Sequence, residues 1–326
     1  MTDNFSKALS SAVIFTCLMP SSFGSSYADR IRDPAGEGVD SQSSGKIHLS
    51  SAWYEYEGPD TKWGAPGKVC FVPENSKITG DGLVQTAMAP SGGFDCGLQN
   101  MPYTTSQIKW SKFNFIYGVV EYRAKFAGGV GTHPGIWMLG SDCQPSAGGG
   151  IADGGPKCNW PRSGSNEIDI TEIKHGDFTH PWQDVCNPEG NPYGTWTTFQ
   201  YEMSDVTKDF HDYKFVWSPT SLTWYVDGAK THEVVWDPAS RTTYIDGVQD
   251  PNHLQMSYIP STPMFILISL FVGYKSRPAA EIDPRTFPQS NVVQYLRVCP
   301  LGTETCDAKH ATYFDEEFNQ LSWRLP

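Results

Sequence analysis

Hydrophobic and polar positions along this chain alternate singly far more often than they recur at helical spacing. In 117–126 (YGVVEYRAKF), Glu121, Arg123 and Lys125 fall on every second position among β-branched and aromatic residues, the pattern of a half-buried strand. Strands are likewise predicted at 135–139 (GIWML), 167–172 (EIDITE), 213–217 (YKFVW), 222–226 (LTWYV) and 292–298 (VVQYLRV). Asp227-Gly228 joins LTWYV to the run 230–235 as a tight hairpin. The run 265–272 (FILISLFV) does not alternate; it has the length of a buried strand and is too short for a membrane helix. Such short strands, punctuated by 31 Gly and 24 Pro, predict an all-β sandwich or barrel.

The first 28 residues follow a different pattern. Lys7 precedes the apolar run 8–20, and Ser-Tyr-Ala at 26–28 places small residues where a signal peptidase cuts, so 1–28 is expected to be a signal peptide. Residues 29–46, polar and rich in Gly and Ser, read as a flexible linker, leaving 47–326 as a single domain. Export makes disulfides the expected state of the seven remaining cysteines. Proximity suggests Cys70–Cys96, Cys143–Cys158 and Cys299–Cys306, with Cys186 left over.

Composition narrows the partners. Charged residues at 18% and aromatics at 13% exclude a disordered chain. A net charge of −12, from 24 Lys and Arg against 36 Asp and Glu, excludes a general phosphate-tracking face, so no nucleic-acid partner is expected. It also disfavours heavily sulfated polymers. No membrane association is expected once the signal is removed, and the protein is expected to act as a monomer.

The densest chemistry lies in 165–173, SNEIDITEI. Glu167 and Asp169 are two apart and share a face of a strand, whereas Glu172 is five from Glu167 and would point the other way. A β-bulge around Ile170-Thr171 would reset the parity and gather all three carboxylates. Retaining glycoside hydrolysis uses such a set: one carboxylate as nucleophile and one as general acid/base, with a third to orient the nucleophile. Taken alone, the pattern also fits a solvated acidic strand face or a calcium site.

The surroundings of the trio decide between these readings. The segment SNEIDITEI resembles the bulged E-x-D-x-x-E signature of glycoside hydrolase family 16. The stretches YGVVEYRAKFAGGVGTHPGIWMLG (117–140), FHDYKFVWSPTSLTWYVDGAKTHEV (210–234), PMFILISLFVG (263–273) and VVQYLRV (292–298) resemble that family's flanking strands, in its order. The resemblance implies a concanavalin-like β-jelly roll of two curved antiparallel sheets. It implies an endo-acting hydrolase of β-linked glucans or galactans, with Glu167 as nucleophile, Asp169 as its partner and Glu172 as acid/base. The expected partner is a β-linked polysaccharide, first β-1,3- or β-1,3/1,4-glucan, with agarose still open. Two departures stand out: the family's early D-E-F-N-like strand has its counterpart at the C-terminus, in YFDEEFNQLSW (313–323), and its aromatic-Pro-Ala-Phe-Trp run reads His133-Pro134-Gly135-Ile136-Trp137.

Sugar rings stack on indole faces, so Trp137, Trp160, Trp182 and Trp196 are candidate substrate contacts, with Gln200, His133 and His175 as polar ones. Trp137 serves equally well as core, and His175 as a structural histidine. The eight histidines show no metal-ligand spacing, so no cofactor or catalytic metal is expected, and a structural calcium ion has no local motif. A transglycosylase would use the same residues with a sugar acceptor, and a carbohydrate-binding jelly roll would need no acid trio.

Overall fold

A computed structural model describes residues 13–16, 53–59, 68–97, 99–110, 114–143, 166–174, 176–186, 195–250, 257–273, 282–307, 311 and 313–314. Two ten-stranded sheets and a separate two-stranded ladder, Phe94–Asp95 with Asn100–Met101, carry the described strands, and almost every pairing is antiparallel. The first runs from Val13–Thr16 through Thr195–Gln200, Trp182–Cys186, Glu167–Glu172, Thr132–Gly140 and Met264–Val272 to Tyr103–Trp110, where Val69–Phe71 pairs in parallel. The second is built around Gly118–Lys125, flanked by His211–Trp217 and Gln289–Cys299. It is an all-β jelly-roll architecture.

Alternation explains how the sheets meet. In Gly118–Lys125, Val120, Tyr122 and Ala124 are buried in the shared core, while Glu121, Arg123 and Lys125 face outward. Ile136, Met138, Ile168, Ile266 and Ile268 reach the same core from the first sheet. Met264–Val272 is buried at every position. Its odd-numbered side chains Phe265, Leu267 and Phe271 join Trp137, Leu139, Tyr56 and Phe71 in a second cluster on the sheet's other face. A central strand covered on both sides needs no polar face, which accounts for its uninterrupted apolar run.

The predicted hairpin forms at Asp227-Gly228, both with left-handed backbone (φ 49° and 79°) as a two-residue turn requires. Asp227 also accepts the Asp212 amide (2.9 Å) and contacts His211 Nδ1 (2.7 Å), tying the turn to the neighbouring strand. At the other end of the chain, Tyr313–Phe314 adds antiparallel to Gln289–Cys299, so the C-terminal segment does join a sheet; the rest of it lies outside the described residues.

Cys70–Cys96 and Cys299–Cys306 form as proximity suggested. Cys143 is disulfide-bonded, while Cys158 lies outside the described residues. Cys186 is buried at the end of its strand. Of the expected signal peptide only Val13–Thr16 is described, as a strand beside Thr195–Gln200; the linker 29–46 lies wholly outside.

A polar contact behind the acidic strand crosses between the sheets. Tyr122, from the second sheet, donates to Thr171 Oγ1 at 2.8 Å, and Thr171 donates to the Ile170 carbonyl at 2.9 Å. Burial, opposed by this bond, pushes the Tyr122 phenol well above its ordinary pKa, so it stays a neutral donor. Tyr122→Phe should therefore lower the unfolding free energy by about 1–3 kcal/mol, because a buried hydroxyl loses its donor; urea melts would measure it.

Candidate active site

The acidic strand obtains its shape from an irregular register. Against Thr132–Gly140, Asp169 pairs with Trp137 and Thr171 with Ile136, so Ile170 has no opposite number. On the other side Asp169 pairs with Asp184 and Glu172 with Trp182, so Ile170 and Thr171 of one strand stand against Gln183 alone of its neighbour. This is the bulge expected at Ile170-Thr171. Ile168, Ile170 and Ile173 enter the core, and the Thr171 hydroxyl turns inward to Tyr122. With two consecutive residues turned inward, parity is reset and Glu172 emerges on the face that carries Glu167 and Asp169.

That face is closely packed. Glu167 is 8% exposed and Asp169 6%. Asp169, Glu172 and Asp184 bring one carboxylate oxygen each to within 4.8 Å of the others. A cation lies among them: Lys174 Nζ lies 2.5 Å from Glu172 Oε2 and donates at 2.5 Å to Asp184 Oδ2. The same ammonium sits 5.1 Å over the Trp182 ring. His133 Nε2 contacts the other Glu172 oxygen, Oε1.

Proton affinities within the cluster diverge. Burial acts to raise the Glu172 carboxyl, but the Lys174 and His133 charges and hydrogen bonds overcome it and hold Glu172 well below the carboxylate range. Asp169 moves the opposite way, pushed well up by burial and then by the negative charges of Glu172, Glu167 and Asp184. Asp184 is raised to about 6 by burial and Glu172, against the pull of Lys174 and Thr198. Carboxylates with such unequal affinities can hold a proton and lack one within the same cleft.

The remaining candidates divide. Trp182 pairs with Glu172 across the strands and is half-buried beneath Lys174. Gln200, opposite Trp182, is exposed and donates to the His180 carbonyl at 3.4 Å. Trp196 lies opposite Cys186 in the register. Trp137 is on the acidic face beside Asp169, but it is buried, donates to Ser269 Oγ at 3.1 Å and packs with Phe265 and Phe271. It supports the floor instead of presenting an open ring. His133, a polar candidate at an aromatic position of the family pattern, is also buried, edge-on to Phe271, and contacts Glu172. Trp160 and His175 lie outside the described residues.

Sequence reasoning passed over Lys174 and Asp184. The available signal was parity: in WQDVC, Trp182, Asp184 and Cys186 share a face, and the strand follows the acidic one directly.

A jelly roll that sets carboxylates together on one bulged strand suits retaining glycoside hydrolysis. The sequence profile of the Glycosyl hydrolases family 16 matches residues 74–285, and the chain belongs to that family. It is 26% identical over 234 residues to a beta-glucanase of Rhodothermus marinus, covering 69% of this chain and 70% of that one. It is 25% identical over 196 residues to glucan endo-1,3-beta-glucosidase A1 of Niallia circulans, covering 57% of this chain and 25% of the relative. The endo-beta-1,3-glucanase structure from Pyrococcus furiosus superposes with a TM-score of 0.58 at 27% identity, over 76% of this chain and 87% of that one.

The charge cluster makes stability depend on pH. Asp184 binds its proton more tightly in the folded state, about 6, than an ordinary unfolded aspartate near pH 4. Its contribution is present below the unfolded value and fades as pH rises through about 6. Asp184→Asn should therefore remove a loss of stability between pH 4 and 6, seen as a smaller difference between melting temperatures at those two pH values.

Proposed function

We propose that the protein is an endo-acting, retaining hydrolase of β-1,3- or mixed β-1,3/1,4-glucan, with Glu167 as nucleophile, Asp169 as its orienting partner and Glu172 as general acid/base. The observation that carries this reading is the bulge at Ile170, which sets the three carboxylates on one face with opposed proton affinities. In the first step Glu167 attacks the anomeric carbon while Glu172 protonates the departing glycosidic oxygen. In the second, Glu172 takes a proton from water, which displaces Glu167 with net retention. Asp169, whose proton affinity burial and the neighbouring carboxylates raise, is suited in its protonated form to donate a hydrogen bond to the Glu167 carboxylate and hold it in line. Ionised Glu172, the form that Lys174 and His133 favour, is the form the second step needs. Carboxylate chemistry of this kind uses no cofactor.

Substrate choice rests on charge and kinship. A net charge of −12 repels sulfated galactans, and the Rhodothermus and Niallia relatives are named for glucans. The disulfides Cys70–Cys96 and Cys299–Cys306, stable in an oxidising compartment, support export. Removal of residues 1–28 would take Val13–Thr16 from the sheet and leave Thr195–Gln200 as its edge.

Glu167→Gln should abolish reducing-sugar release from laminarin and mixed-linkage glucan while leaving binding to both intact. Persistent turnover by that variant would overturn the assignment. Glu172→Gln should lower kcat on glucan by about 10²–10⁴-fold, and azide should restore turnover of a substrate with an activated leaving group, as expected for a lost acid/base.

A further inference from the structure

Glu172 has two charge partners that its role as acid/base does not by itself require, and one of them is shared. The Lys174 ammonium lies 2.5 Å from Glu172 and 2.5 Å from Asp184. The Lys174 side chain is 12% exposed and that of Asp184 3%, so water screens neither contact strongly. Trp182 lies beneath the ammonium at 5.1 Å and restricts it to this corner of the cleft. One positive charge cannot neutralise two carboxylates, so whatever Lys174 gives to Asp184 it withholds from Glu172.

We propose that Lys174, divided between Glu172 and Asp184, is a positioning residue that sets when the acid/base carries its proton. The inference rests on the acid/base reading of Glu172. While Glu172 is protonated for the first step, the ammonium is held by Asp184. Once the proton has passed to the leaving oxygen, Glu172 is charged and the ammonium is already within contact distance. No large rearrangement is needed, because both carboxylates lie in reach of one Nζ position. Asp184 is thus the counterweight that keeps Lys174 from trapping Glu172 permanently as a carboxylate.

Other groups facing the cluster bias this balance without replacing it. His133 reaches Glu172 from Thr132–Gly140, and Glu167 and Asp169 act from its own strand. Thr198, from Thr195–Gln200, contributes a neutral hydroxyl to Asp184. Lys174 touches both Glu172 and Asp184, each at 2.5 Å.

The signs are opposite for the two halves of the device, which makes it testable. The alkaline limb of kcat/KM against pH reports loss of the acid's proton in the free enzyme. Lys174→Met removes the charge that favours ionised Glu172, so the limb should move to higher pH by about 1–3 units. Asp184→Asn leaves the ammonium wholly to Glu172 and removes a like charge, so the limb should move to lower pH. Lys174→Arg should keep the wild-type limb. A merely structural role would lower kcat without separating the limbs in this way. An unmoved limb in Asp184→Asn, or movement of Asp184→Asn and Lys174→Met in the same direction, overturns the proposal. If Lys174→Met does not fold, Asp184→Asn and Lys174→Arg still decide it. Glu172→Gln assayed with azide alongside separates the two levels: undiminished turnover of glucan in that variant refutes the acid/base reading, whereas an azide-rescued loss with unmoved limbs refutes the role of Lys174 alone.

Discussion

Everything at the site depends on one extra residue in one strand. In a regular strand Glu167 and Glu172 would lie on opposite faces, one in the cleft and one aimed at the apolar core. An ionised carboxylate among Ile168, Ile170 and Ile173 would cost several kcal/mol and would not persist. The bulge avoids this by turning both Ile170 and Thr171 inward. The isoleucine is at home there, but the hydroxyl is not, and Tyr122 from the opposite sheet supplies its partner at 2.8 Å. The local irregularity is therefore anchored across the whole thickness of the sandwich, and the acidic face inherits its spacing from a contact on the other side of the strand.

Crowding carboxylates then creates an electrostatic problem that the same neighbourhood resolves. Glu167, Asp169, Glu172 and Asp184 cannot all ionise in a buried cluster. Lys174 and His133 favour charge on Glu172, and burial, followed by that negative charge, raises the proton affinity of Asp169. The inequality is useful chemistry: one group that yields or accepts a proton lies beside another that keeps its proton and orients the nucleophile. Trp137, Phe265 and Phe271 close the floor behind it, which maintains the low dielectric on which these shifts depend.

Much of the arrangement was legible in the residues. The alternation of Glu121, Arg123 and Lys125 matches an outer face, and the Asp227-Gly228 turn matches its left-handed backbone. The parity conflict between Glu167 and Glu172 pointed to a bulge at Ile170-Thr171. The ring-stacking candidates were less legible. Trp137 reads equally as substrate contact or core, and Tyr56 and Phe71, distant in the chain, complete the cluster that buries it. His133 occupies an aromatic position of the family pattern, but nothing local shows that Glu172 lies against it.

The sequence by itself determined the all-β class, the strands, the acid trio and the need for a bulge, because alternation and parity are local and each residue states its own face. The tertiary structure alone decided how the trio is charged. Lys174 meets Asp184 only because the strand after the signature folds back with Asp184 opposite Asp169, and Tyr122 meets Thr171 only because two sheets stack. Contacts of this kind join residues from separate strands, and their strength depends on burial that no single segment can provide.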